Sequence, residues 1–320
     1  MTKSFRMNSA FRQWAGSLAV VACCLSPVPN AFAQSENVVR MSVAADIGAL
    51  PGVELDQALR DSLPASVRDS GTLRVATAAF TPPISFYGPN NTEIVGIAAD
   101  LATAFGVMFG VDVEMIDLAM DSATIPAIKS GRFDMAIAGT NDTVERQQQI
   151  DFLDYMYDGK TIMVQQGNPL KIGEMKDLCG KTVAVGVGTL QEKIAMSLSG
   201  RCQEAINILS IPKQPDVIVA VRSGRADATI NGYATSVYTT ENQIQNGRGL
   251  EAIQEVREAV GYVGMVFSKQ NSAMRDASQR ALQKLIDSGG YKAIMEKWGL
   301  APLVVEQAKI NDAGSLPLDY

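Results

Sequence analysis

The sequence predicts an α/β fold in which helices cover a parallel sheet. Two observations carry this. Short apolar runs at residues 72–77, 111–116 and 133–138 alternate with helical stripes at 98–109 and 122–130. A second series begins near Thr161, with strand-like runs at 161–165, 182–187, 206–209, 226–230 and 263–267 and helical stretches at 190–198 and 216–223. Strand then helix, repeated in order, is the pattern of parallel strands joined by crossovers.

Residues 1–33 read as an export address. Lys3, Arg6 and Arg12 form a basic start without an acid, residues 14–25 are an apolar core too short to span a bilayer, and Ala31-Phe32-Ala33 is a small-x-small cleavage site. The alternative is a lipoprotein signal, with Val20-Val21-Ala22 placing a lipidated cysteine at Cys23. Both predict an exported, periplasmic protein. No later stretch reaches the ~18 apolar residues of a membrane helix. The chain holds 28 Lys plus Arg and 34 Asp plus Glu, net −6. Loss of three basic residues with the signal leaves 25 against 34, net −9. That balance argues against nucleic-acid or anionic-membrane partners. About 285 residues are enough for two domains with their own cores.

Residues 34–53 are polar and read as irregular and mobile, and 54–62 as a short helix stopped by Leu63-Pro64. The strand at 72–77 follows Asp69-Ser70-Gly71 and is broken by Pro82-Pro83. Leu101, Phe105 and Met108 share one stripe of the helix at 98–109. In the second series Gly186-Val187-Gly188 resembles the opening of a dinucleotide loop, but the third glycine falls at Gln191 and the fingerprint fails. Thr189 as N-cap would still leave free N–H donors for an anion, or serve as a cap alone. Residues 274–287 form a long amphipathic helix, and 291–298 close the core.

The most informative segment is Asn141-Asp142-Thr143-Val144-Glu145-Arg146. It follows the apolar run 133–138 and Gly139 and leads into Asp151-Phe152. A small-residue turn after a buried strand, then an arginine, outlines an anion site of backbone N–H groups and a guanidinium fork. Taken alone, the same residues also fit a surface arginine on a solvated helix.

If Cys23 and Cys24 leave with the signal, Cys179 and Cys202 remain as an isolated pair in an oxidising compartment, which predicts a disulfide. Two free thiols are the alternative. The chain has no histidine, which removes Ser-His-Asp and Cys-His catalysis and any His-ligated metal. No metal or cofactor is expected.

From Gly71 to Leu300 the order of these pieces resembles the bacterial solute-binding proteins of family 3, the polar amino-acid type that serves ABC importers. The matching stretches include Gly71-Thr72-Leu73-Arg74-Val75 with Pro82-Pro83, Ile125-Pro126-Ala127-Ile128-Lys129-Ser130-Gly131-Arg132-Phe133-Asp134 and Thr143-Val144-Glu145-Arg146 with Asp151-Phe152. Further on come Asp177-Leu178-Cys179-Gly180-Lys181 with Gly188-Thr189, Gly224-Arg225-Ala226-Asp227-Ala228, and Lys297-Trp298-Gly299. Each is loose alone; their order over about 230 residues makes the match strong. The resemblance implies a periplasmic-binding-protein-like α/β fold, two lobes with mixed sheets joined by two hinge strands. After a signal at 1–33 and an extension at 34–70, lobe 1 would span 71–159 plus 262–320, and lobe 2 160–261.

Carried over by position, Arg146 matches the arginine that clamps the ligand carboxylate. Asn141 and Gly139 match its loop partners, and Thr189 and Leu190 the helix start that faces the same group. Such a charge-assisted contact contributes roughly 1.5–3 kcal/mol, while a micromolar ligand needs about 8 kcal/mol in total. The clamp therefore cannot act alone. The acids that hold an α-ammonium in relatives are missing: Ala78 stands after the first strand, and Asn231-Gly232 after the strand at 226–230. The usual aromatic before the proline pair is Thr81, with Phe80 adjacent. Asp121 sits where relatives place an apolar wall. It either replaces the lost acids, the reading preferred here, or caps its helix beside a ligand without an ammonium.

The expected function is an exported receptor, a monomer and not an enzyme, that delivers a carboxylate-bearing solute (an amino acid or derivative) to an ABC permease in the inner membrane. Two alternatives are a dehydratase on the same scaffold, with Glu192 or Asp121 as the acid, and a ligand-sensing module for a membrane signalling partner. An acid at position 192 also suits a capping box begun by Thr189.

Overall fold

The computed structural model describes Met1 and residues 38–41, 45–118, 121–242 and 249–316. The expected signal, Cys23 and the Ala31–Ala33 site lie outside these residues, as does the side chain of Asp121. No described helix is long and apolar enough to cross a membrane.

One sheet runs through the molecule in the order Val38–Met41, Asp112–Asp117, Thr72–Thr77, Met135–Ala136, Glu258–Phe267, Asp151–Gln165, Ala228–Gly232, Thr182–Gly186 and Asn207–Ile211. Thr72–Thr77 pairs in parallel with Asp112–Asp117 and with Met135–Ala136, and Thr182–Gly186 pairs in parallel with Asn207–Ile211 and Ala228–Gly232. The strand-then-helix reading is right for these two groups. Between them the sheet is antiparallel, because Asp151–Gln165 pairs with Glu258–Phe267 on one side and Ala228–Gly232 on the other.

Asp151–Gln165 is a single strand of 15 residues, where the residue pattern suggested a strand only from 161 to 165. Asp154 and Asp158-Gly159-Lys160 interrupt the apolar run like a turn. Pairing along both edges overrides that local signal. The apolar side chains fall into two large clusters. One joins Ile47 to Met156 with Tyr262 to Ala308 and Ala234; the other runs from Ile162 to Ala259. Asp151–Gln165 contributes Leu153, Tyr155 and Met156 to the first and Ile162 and Val164 to the second.

Two expectations are corrected in the segment before Gly71. Part of residues 34–53 is ordered: Val38–Met41 adds an antiparallel edge strand to Asp112–Asp117, with Val39 and Met41 packed on the first cluster. The helix expected at 54–62 is Gln57–Asp61, capped by Asp56, and a second helix, Ala65–Ser70, follows. Ile47, Val53, Leu59, Leu63 and Val67 are buried in the first cluster. Apolar burial, invisible in a mostly polar stretch, holds the segment in place.

Candidate functional site

Asn141 and Arg146 are positioned by a loop stitched to Glu258–Phe267. The N–H of Asp142 donates to the Tyr262 carbonyl and the N–H of Gly264 to the Thr140 carbonyl, at 2.9 and 3.0 Å. Gly139 enters this loop with φ 72°, a left-handed turn that favours glycine, and a Cβ there would come 3.1 Å from Ile84. Thr143 then caps a short helix, Val144–Gln147, its hydroxyl accepting the N–H of Arg146. The guanidinium turns back and donates to the Asn141 carbonyl at 3.0 Å. No carboxylate of the described residues pairs with it.

Across from this loop, Thr189 opens the helix Leu190–Ser199. Its hydroxyl donates to the Gly186 carbonyl at 2.7 Å and accepts the N–H of Glu192. The Glu192 carboxylate accepts from the Gly188 N–H at 2.7 Å and from the Ser210 hydroxyl at 2.5 Å. Glu192 is therefore committed to capping, which removes it as a free acid. The N–H groups of Leu190 and Gln191, the first two of the helix, have no acceptor among the described residues. A Cβ on Gly188 would lie 3.5 Å from Ser122, the neighbour of Asp121 in the 3₁₀ turn Asp121–Ala123.

Between these two loops lies a cleft, partly open to solvent, with about 50 Å³ of free space. Phe80, Gly139, Asn141, Thr189, Asn231 and Gly232, six of the nine residues selected from sequence, line it together. Arg146 stands behind Asn141 and is half-buried, outside the lining. The Leu190 side chain points instead into the apolar cluster Ile162–Ala259. The buried amide nitrogen of Asn141 has no hydrogen-bond partner among the described residues. A buried donor without an acceptor costs about 1–3 kcal/mol, a debt that a ligand oxygen would cancel.

Sequence reasoning missed Asp158 and Lys160, which line the same cleft from Asp151–Gln165. Both are buried, 3% and 1% exposed, with Nζ 3.9 Å from Oδ2. Burial raises the Asp158 carboxyl, opposed by the Lys160 charge and by the N–H of Ala234, which donates to Oδ1 at 3.1 Å. The signal available was a charged pair inside a strand-like apolar run; lysine and aspartate are almost never fully buried without a reason. Gln191 and Gln214 also line the cleft, and the Gln214 side-chain amide donates to Asn231 Oδ1 at 3.4 Å. Among the described residues no acid or cysteine cluster could hold a metal ion.

The sequence profile of the bacterial extracellular solute-binding proteins, family 3, matches residues 73–301. The chain belongs to this family. An arginine-binding protein of Corynebacterium glutamicum is 28% identical over 255 residues, 78% of this chain and 81% of the relative. Among solved structures, an ancestral arginine-binding protein bound to arginine is 32% identical with a TM-score of 0.64, covering 71% of this chain and 98% of that one. An ancestral amino-acid-binding protein, a precursor of cyclohexadienyl dehydratase, is 29% identical with a TM-score of 0.64, over 73% of this chain and 97% of that one. The fold of this family-3 protein is that of the periplasmic amino-acid-binding proteins, and its relatives are binders, which supports a solute-binding role over an enzymatic one.

In this family-3 chain the two cysteines expected to pair do so: Cys179 and Cys202 form a disulfide, Cα to Cα 5.5 Å. It ties the end of the turn Met175–Leu178 to the end of the helix Leu190–Ser199, away from the cleft.

Proposed function

We propose that this chain is the exported receptor of an ABC importer and binds a small carboxylate-bearing solute, an amino acid or derivative, in the cleft between Asn141 and Thr189. The observation that carries the reading is the convergence of donors there. The Asn141 amide nitrogen and the N–H groups of Leu190 and Gln191 all lack partners, and the Arg146 guanidinium lies one hydrogen bond behind Asn141. A carboxylate is the acceptor that satisfies several donors at once. The ligands named for the relatives support an amino acid as its bearer.

In this reading residues 71–159 with 262–320 form one lobe and 160–261 the other, and the ligand shifts the population from open to closed. The closed monomer docks on a permease in the inner membrane from the periplasmic side. A thermal-shift screen of amino acids, opines and organic acids tests it, because a ligand at 100 times its Kd raises stability by about 2.7 kcal/mol. A panel in which no carboxylate raises the melting temperature would sink the proposal. Prephenate turnover by the purified protein would instead favour the dehydratase.

A further inference from the structure

Asp158 is the single acid among the described lining residues of the cleft. The other acids near it are engaged elsewhere: Glu192 caps its helix, and Asp117 accepts from the Ala79 N–H and the Tyr87 hydroxyl. The N–H of Ala234 donates to Asp158 Oδ1, and the Gly159 N–H and the Arg257 charge also favour its ionised form. Its Oδ2 lies 3.9 Å from Lys160 Nζ, too far for a hydrogen bond. A buried carboxylate with so loose a counter-charge keeps much of its desolvation cost, and a close cationic donor offsets it.

Gly232 explains how Asp158 reaches the cleft. Its φ of −58° and ψ of 137° suit any residue, so the backbone does not call for glycine. Space does. A Cβ on residue 232 would lie 2.8 Å from Asp158 Oδ2. Residues 232 and 160 are direct partners across the two strands, so Asp158 leans into the position that a side chain at 232 would fill.

We propose that Asp158 receives the ammonium group of the ligand and that residue 232 is glycine to make room for the Asp158 carboxylate. The inference rests on the cleft being an amino-acid site and adds the residue that reads the ammonium. Asp158 thereby separates amino acids from plain carboxylic acids.

The experiment is calorimetry with the twenty standard L-amino acids and, for the tightest, its des-amino carboxylic acid. Asp158→Asn keeps an oxygen for the Ala234 N–H while removing the charge. It should weaken the amino acid by about 30-fold or more, the range for truncating a buried charge pair, and leave the des-amino acid unchanged. The relocated acid of Asp158→Gly with Gly232→Asp should recover at least about tenfold of that loss, since position 232 is then open. Wild-type affinity in Asp158→Asn overturns the inference while the receptor reading stands. So does an equal loss for both ligands, which would mark a structural role, or an ammonium-specific loss found only in Asp121→Asn. Failure of the wild-type protein to bind any L-amino acid overturns the amino-acid reading and the inference with it.

Discussion

Lys193 Nζ donates to the Glu145 carboxylate, which joins the helix that opens at Thr189 to the short helix that carries Arg146. The pair bridges the two loops on either side of the cleft and holds the Glu145 carboxyl below the usual range, chiefly through the Lys193 hydrogen bond. Both side chains are largely exposed, so water and salt screen the contact.

Glu145→Gln should therefore weaken ligand binding only modestly. Exposed pairs contribute about 0.2–1 kcal/mol, or less than about fivefold in Kd. Titrations at low salt and at about 1 M salt check this, and the difference between variant and wild type should vanish at high salt. A loss that survives high salt would mean that Glu145 acts by another route.

Arg146→Ala should weaken a carboxylate ligand by roughly 1.5–3 kcal/mol, about ten- to a hundredfold. The fold should persist, because Arg146 is half-buried and its guanidinium, among the described residues, donates only to the Asn141 carbonyl. Arg146→Lys should also bind poorly, since a lysine cannot present the planar fork. Wild-type affinity in either variant, measured by calorimetry, would refute the clamp.

Asp154 makes stability depend on pH between its unfolded and folded values. Burial raises its carboxyl to about 8, helped by the neighbouring charge of Asp142. An acid whose folded pKa is raised adds stability that is complete below its unfolded value near 4 and is lost as pH rises through about 8. The melting temperature should thus fall between about pH 4 and pH 8 and level off above that. Asp154→Asn, which keeps an oxygen for the Asp312 N–H, should flatten that fall by about several degrees. Equal slopes in both proteins would remove Asp154 as the source.

Cys179 and Cys202 should be found oxidised in protein purified from the periplasm, by peptide mapping without reductant. Replacing both with serine should cost roughly 3 kcal/mol of stability in the chain-entropy model. Ligand affinity should not change, because the bridge lies outside the cleft lining. Two alkylatable thiols in fresh periplasmic material would count against both the bridge and export.

Much of this molecule was legible because its signals are local. Thr189 announces a helix start through a hydroxyl that reaches an N–H three residues on, and that cap is present. The alternation of apolar runs and helical stripes marks the parallel strands because burial demands a fixed period. Asn141, Gly139 and Thr189 could be selected because their loops match, position by position, the motifs of the family the chain resembles.

Asp158 and Lys160 could not be selected on the same grounds, and Gly232 was selected without its part in making room for Asp158. Read along the chain, Asp158-Gly159-Lys160 is a turn between two strands. In the fold it is the middle of one strand, paired with Gly232 on one side and with Glu258 and Gly261 on the other. Which face a strand residue takes depends on register, and register is set by partners about 70 to 100 residues away rather than by neighbours. The alternation of strand and helix within each parallel group was therefore legible in the sequence. The charge that faces the ligand, and the glycine that leaves it room, were decided only when distant strands met.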